Sequence, residues 1–162
     1  MFPDDILSQA EAVIAAAVAR RRMLATAESC TGGLVAGALT QIAGSSAVVD
    51  RGFITYSNAA KSRMLGIDPA LIETYGAVSE AVARAMAEGA IRHSDALVTV
   101  SITGIAGPGG GSPEKPVGIV HFAAADPVGT VHVERRFGDI GRDAVRLASV
   151  RQALDLLLDR LA

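Results

Sequence analysis

Residues 96–102, ALVTVSI, form a short apolar, β-branched run that ends against GIAGPGGGSP at 104–113. Such a run reads as a strand buried on both faces, and the glycine- and proline-rich stretch after it can be neither helix nor strand. A strand of this kind needs helices above and below it, and the rest of the chain supplies them. Ile6, Leu7, Ala10, Val13, Ile14, Ala17 and Val18 share one face of a helix over 4–21, started by Pro3 and Asp4. A second short strand is expected at 23–28. After Gly32 and Gly33, the residues Leu34, Val35, Ala38, Leu39 and Ile42 recur at helical spacing. A turn at 44–46 leads to a strand ending near Tyr56. A helix from about Asn58 to Leu65 follows and is stopped by Gly66. Ser79 reads as the N-cap of a helix through Arg92, with Glu80 in its first turn. Segments 117–124 and 130–137 flank DPVG as a hairpin. A closing helix over 143–161 turns Val150, Leu154, Leu157 and Leu158 inward. This interleaving predicts an α/β fold: a single three-layer α/β/α domain over 1–162 with a mixed sheet.

Composition narrows the packing and the partners. Half of the residues are hydrophobic, yet aromatics are only 4% and tryptophan is absent. Alanine and glycine carry much of the apolar count, which favours close helix–sheet packing over a few large anchors. The formal charge is -2 with acids and bases mixed, so no basic nucleic-acid footprint is present. The densest basic cluster, RRR at 20–22, falls at a helix end, where cations suit the macrodipole. Cys30 is the one cysteine, which excludes an internal disulfide and suits a reducing compartment. The start, MFPDD, is unlike a signal peptide. The apolar run AVIAAAVA at 12–19 is far shorter than the ~18 residues a membrane span needs. A soluble cytoplasmic protein without a membrane partner is expected.

Three segments carry chemistry. In AESCTGG (27–33), Ser29 falls between a strand and a helix, where unpaired amides and the positive dipole end favour an oxyanion or a phosphate. Gly32 and Gly33 would let a ligand approach the backbone. Ser29 or Thr31 in that place also suits a simple helix cap. Cys30 competes as a nucleophile, its thiol acidified by the helix end, or serves as a buried filler. In GFITYSNAAKSRMLGI (52–67), Tyr56 ends a strand and Lys61 enters the first turn of a helix. A cation there opposes the macrodipole by roughly 0.3–1 kcal/mol, and the same field favours the neutral amine that a Ser–Lys dyad requires. An exposed surface lysine is the plainer reading. In TGIAGPGGGSPEKPVG (103–118), glycine amides at a strand end suit an anion nest, and Thr103 adds a hydroxyl. No Walker A lysine follows Gly104, and no GxSxG elbow occurs anywhere. His93, His121 and His132 are isolated, without metal-ligand spacing. Neither a metal nor a cofactor is expected.

Taken together, AESCTGGLVAGALT (27–40), GFITYSNAAKSRMLGI (52–67), YGAVSEAVARAMAEGA (75–90) and TGIAGPGGGSPEKPVG (103–118) resemble the C-terminal domain of the competence/damage-inducible protein CinA. Stand-alone members of that family are nicotinamide-nucleotide amidohydrolases. The resemblance covers nearly the whole chain. It implies metal-free hydrolysis of nicotinamide mononucleotide to nicotinic acid mononucleotide and ammonia, a step of pyridine nucleotide recycling. Carried over by motif, Ser29 is the nucleophile, Lys61 its base, and Tyr56 assists. The substrate-binding set so implied is Cys30, Thr31, Gly32, Gly33, Thr103, Gly104, Ala106 and Gly107, with Arg142 toward the phosphate. FGDIGRDAVR (137–146) is stretched relative to the compact GDR-type turn of relatives. Many relatives carry an N-terminal molybdopterin-binding-like domain, which is not expected within these residues. A homo-oligomer is compatible with the sequence. The rival reading is a non-catalytic nucleotide-binding regulatory module. Glycine loops would serve it equally, but it has no need of Ser29, Tyr56 and Lys61 together.

Overall fold

The run at the centre of the sequence is also at the centre of the molecule. In the computed structural model, which describes residues 1–162, the strand Val98–Gly104 (β3) lies third of five in one sheet. The strands β1 (Leu24–Glu28), β2 (Val49–Ile54), β4 (Ile119–Asp126) and β5 (Gly129–Arg136) complete the order β2-β1-β3-β4-β5. The pairs β1–β2 and β1–β3 are parallel, whereas β3–β4 and the β4–β5 hairpin are antiparallel. The sheet is therefore mixed, as the interleaved pattern predicts.

Helices cover both faces. On one side α1 (Asp4–Arg20), α2 (Leu34–Thr40) and α6 (Arg142–Leu161) bury Ile6, Val13, Leu39, Leu154 and Leu157 against Leu24, Val100, Ile102 and Phe122. On the other, α3 (Asn58–Leu65), α4 (Pro69–Tyr75) and α5 (Glu80–Arg92) bury Leu65, Ile72, Val82 and Met86 against Ala25, Ala27 and Phe53. Several local signals act as expected. Gly66 ends α3 at φ +68°, and Ser79 Oγ accepts from the Val82 amide at the head of α5. The helix α4 is absent from the sequence reading. Its signal was legible: Pro69 occupies the first turn and Asp68 Oδ1 accepts from the Ala70 amide. Strand β3 starts at Val98 and extends through Gly104, which the sequence reading placed in a loop.

Period-2 alternation sorts β3 more finely than its hydropathy does. Val98, Val100 and Ile102 face the α1–α6 side, while Thr99, Ser101 and Thr103 face the other way. Ser101 Oγ donates to Ala83 O (2.6 Å) and Thr99 Oγ1 to Ala87 O (2.8 Å), both carbonyls of α5. Short side chains on the strand and alanines on the helix bring the two backbones together. Ala83 and Ala87 then pack on Ala123 and Ala125 of β4.

The same economy of volume joins α3 to α5. A Cβ on Gly89 would fall well inside contact distance of the Leu65 carbonyl oxygen and 3.0 Å from Leu65 Cβ. Helix propensity alone favours alanine at this interior position by about 1 kcal/mol. Overpacking against backbone costs about 1–3 kcal/mol and outweighs it. Gly89→Ala should therefore lower the unfolding free energy in a urea titration; a gain in stability would show that the α3–α5 contact yields freely.

Candidate active site

Strand order reverses around β1: β2 follows it on one side and β3 lies on the other. Ligand crevices of open α/β sheets form at the carboxyl ends of strands at such a switch. Here the ends of β1 and β3 deliver Ser29 and Thr103 to one cavity of about 280 Å3, whose lining also includes Cys30, Tyr56, Lys61, Ala106, Gly107 and Arg142. A larger cavity of about 480 Å3 lies between α3 and α4 and shares only Asn58 with it.

Ser29 continues the β1–β3 pairing for one more residue, its amide donating to Ile102 O at 2.9 Å. The chain then turns into α2. The amides at the head of that helix are not open to a ligand, contrary to the sequence expectation. Glu28, fully buried, takes them: the Gly33 and Val35 amides donate to Oε2 (3.0 and 3.1 Å) and the Ala36 amide to Oε1 (2.8 Å). Thr26 Oγ1 donates a fourth bond to Oε1. A carboxyl group at this position satisfies three orphan amides and meets the positive end of the helix.

The roles expected for Gly32 and Gly33 change accordingly. Gly33 sits at φ +99° with Ile54 Cδ1 3.0 Å from where its Cβ would be, and Gly32 at φ +59° donates its amide to Ser29 O. Both shape the turn, and neither lines the cavity. Thr31 is wholly buried and outside the lining as well. The amides of Cys30 and Thr31 donate to no backbone carbonyl.

Lys61 is the least expected residue in its burial. It is 1% exposed, which excludes the surface-lysine reading. Ser57 caps α3 by accepting from the Ala60 amide, and the side chain one residue on turns inward. Lys61 Nζ donates to Ser29 Oγ (3.1 Å) and to Thr55 O (2.9 Å), and no carboxylate pairs with it. Burial pushes its amine below the ordinary lysine value; the neighbouring Cys30 opposes this only as a thiolate. The Cys30 thiol is itself buried, and burial pushes it up to about 12 rather than down. It is therefore protonated in neutral solution, which corrects the expectation of an acidified thiol.

Tyr56 and Arg142 form the rim. Tyr56 lies two residues beyond β2 and is 62% exposed. Arg142, the first residue of α6, donates from Nη2 to Tyr56 Oη (3.0 Å) and from Nη1 to Gly107 O (2.9 Å). The stretched 137–146 segment thus still brings this arginine to the cavity. Thr103 lines the cavity but donates its hydroxyl proton to Ala77 O at 2.8 Å, tying down the loop before α5. Gly104 owes its small size to β4: a Cβ would lie 2.7 Å from Val120 Cγ2. The sequence reading missed Glu28 and Arg146. Nothing in the spacing marks them, because Glu28 completes a strand and Arg146 approaches from the far end of the chain.

The histidines are not all isolated. His121 and His132, on adjacent strands, share a 2.9 Å hydrogen bond between Nδ1 and Nε2. The register pairs His121 with Glu134 and Ala123 with His132, a diagonal that places the rings side by side. No group of three or more candidate ligands for a metal ion occurs. No helix is long and apolar enough to cross a membrane.

Comparison with known proteins agrees with this architecture. The chain is 56% identical to a CinA-like protein of Anaeromyxobacter dehalogenans over 90% of its length, which is 35% of that relative. It spans about a third of the length of such curated relatives. It is 53% identical to the nicotinamide-nucleotide amidohydrolase PncC of Enterobacter agglomerans, covering 82% of this chain and 80% of that one. The crystal structure of the competence/damage inducible protein CihA from Agrobacterium tumefaciens superposes with a TM-score of 0.96 at 56% identity, covering 98% and 97% of the two chains. The model of the CinA C-terminal domain matches residues 7–161, and the chain belongs to that family.

Proposed function

We propose that this chain is a nicotinamide-nucleotide amidohydrolase, converting nicotinamide mononucleotide to nicotinic acid mononucleotide and ammonia by a Ser–Lys mechanism. One observation carries the reading: a buried lysine with no carboxylate partner, 3.1 Å from a serine hydroxyl at the carboxyl end of a central strand. A module that only binds nucleotides has no use for such a pair. Keeping an amine there costs desolvation, and the amine relieves that cost by staying neutral.

In the proposed reaction the Thr55 carbonyl accepts one N–H of neutral Lys61, leaving its lone pair for the Ser29 proton. Ser29 Oγ attacks the carboxamide carbon while the Cys30 amide, with loop amides near 106–107, supports the oxyanion. Lys61 returns the Ser29 proton to the amide nitrogen, which leaves as ammonia, with Tyr56 assisting at the rim. Water then cleaves the acyl-enzyme by the reverse proton path. The rim of Arg142, Tyr56 and the glycine loop takes the ribosyl phosphate. Cys30 contributes its backbone and not its thiol.

Ser29→Ala should reduce ammonia release from nicotinamide mononucleotide by about 10³-fold or more, with an unfolding free energy within about 1 kcal/mol of wild type. Cys30→Ala should keep activity within a few-fold. The reverse pattern would move the nucleophile to the thiol.

The charge state of Lys61 gives a second test. Its folded pKa is lowered below the ordinary 10.5, so kcat/KM should climb with pH and level off at an apparent pKa under that value. Between the folded and unfolded pKa values the unfolded chain binds more protons, so stability also rises with pH across that window. Lys61→Met should abolish both trends. Lys61→Arg should lower kcat by about 10²–10⁴-fold, since guanidinium accepts no proton at working pH. Substantial activity in Lys61→Arg would reduce the lysine to an electrostatic role.

A further inference from the structure

Arg146 lies half-buried on α6, and it belongs to none of the ion pairs of the molecule. Both of its bonds go to carbonyls of the turn after Ser29: Nε donates to Cys30 O (3.2 Å) and Nη2 to Thr31 O (3.1 Å). A trans peptide points its C=O and N–H in opposite directions. Holding Thr31 O toward α6 therefore turns the Gly32 N–H away from it, and that N–H donates to Ser29 O at 3.1 Å. Holding Ser29 O in turn directs the N–H of its own peptide unit, that of Cys30, the other way. Cys30 borders the cavity that contains Ser29, and its amide donates to no backbone carbonyl. Two peptide units in series thus connect a guanidinium to a free N–H beside the hydroxyl. Gly32 lies under the guanidinium, its Cβ position in ordinary contact at 3.6 Å from Arg146 Nη2, and its φ of +59° suits glycine.

We propose that Arg146 is a positioning residue that aims and polarises the Cys30 amide as an oxyanion donor for Ser29. The proposal rests on the reading of Ser29 as nucleophile. Hydrogen bonds in series polarise one another in a low-dielectric setting, and a charged first donor strengthens the chain. A lysine offers one point charge where the guanidinium presents a fork to two carbonyls, so lysine should not replace it.

The test uses the full chain with Arg146→Gln and Arg146→Lys. Three quantities are read: kcat and KM for ammonia release from nicotinamide mononucleotide, the rate at which a fluorophosphonate labels Ser29, and the urea midpoint. In both variants kcat and the labelling rate should fall together, on the order of 100-fold, with KM within threefold and the folded fraction near unity. Three outcomes would overturn the proposal. Labelling at the wild-type rate would show an unaltered site. A KM raised tenfold at constant kcat would make Arg146 a direct substrate ligand. A loss that disappears after correction for unfolded protein would make it a staple of α6. If wild type labels but releases no ammonia, the substrate reading fails while the labelling comparison still decides Arg146. If wild type does not label, both fail.

Discussion

The site depends on one buried carboxyl group. Glu28 ends β1 and receives three amides from the head of α2, so the strand and the helix are joined through a side chain as well as through the chain between them. The intervening turn is short and glycine-rich, and with its exit held it has few ways to run. Ser29 therefore emerges at one place, at the end of β1 beside β3. The helix terminus is occupied by the protein's own acid. The amides left without a backbone carbonyl are those of Cys30 and Thr31 in the turn itself.

A carboxyl group and a guanidinium hold the two sides of that turn. Glu28 accepts amides from Gly33 onward, and Arg146 donates to the carbonyls of Cys30 and Thr31. The amine of Lys61 is kept apart from both in the bond network. Lys61 touches the hydroxyl of Ser29 and the carbonyl of Thr55 and has no acid to neutralise it. A carboxylate on Lys61 would favour the ammonium form and remove its capacity as a base. The backbone of the turn is held by Glu28 and Arg146, while Lys61 keeps no carboxylate partner.

Most elements were legible in the sequence because their signals are local. The bounds of α3, the Ser79 cap, the β4–β5 hairpin and the buried β3 follow from capping chemistry, a turn and periodicity within a few residues. The helix α4 was overlooked although Asp68–Pro69 announces it. At the site, Ser29, Lys61, Tyr56, Thr103 and Arg142 do gather at one cavity. Gly32, Gly33 and Thr31 do not line it; the Gly32 and Gly33 amides and the Cys30 and Thr31 carbonyls are engaged within the protein. Their sequence signature, small residues after a strand, is the same for a ligand cradle and for a tight turn.

By itself the sequence determined the element order, the α/β class and the hydroxyl, amine and glycine loops that make a dyad chemically conceivable. Those properties reside in single residues and their near neighbours. Only the tertiary structure decided that Lys61 is buried against Ser29, that Glu28 closes the helix terminus and that Arg146 reaches the turn. The Lys61 contact spans 32 residues and the Arg146 contacts 116 and 115, and each depends on the sheet order that folds distant segments together. Desolvation, which sets the state of both Lys61 and Cys30, is a property of that assembled environment, because no residue carries its own burial in its sequence position.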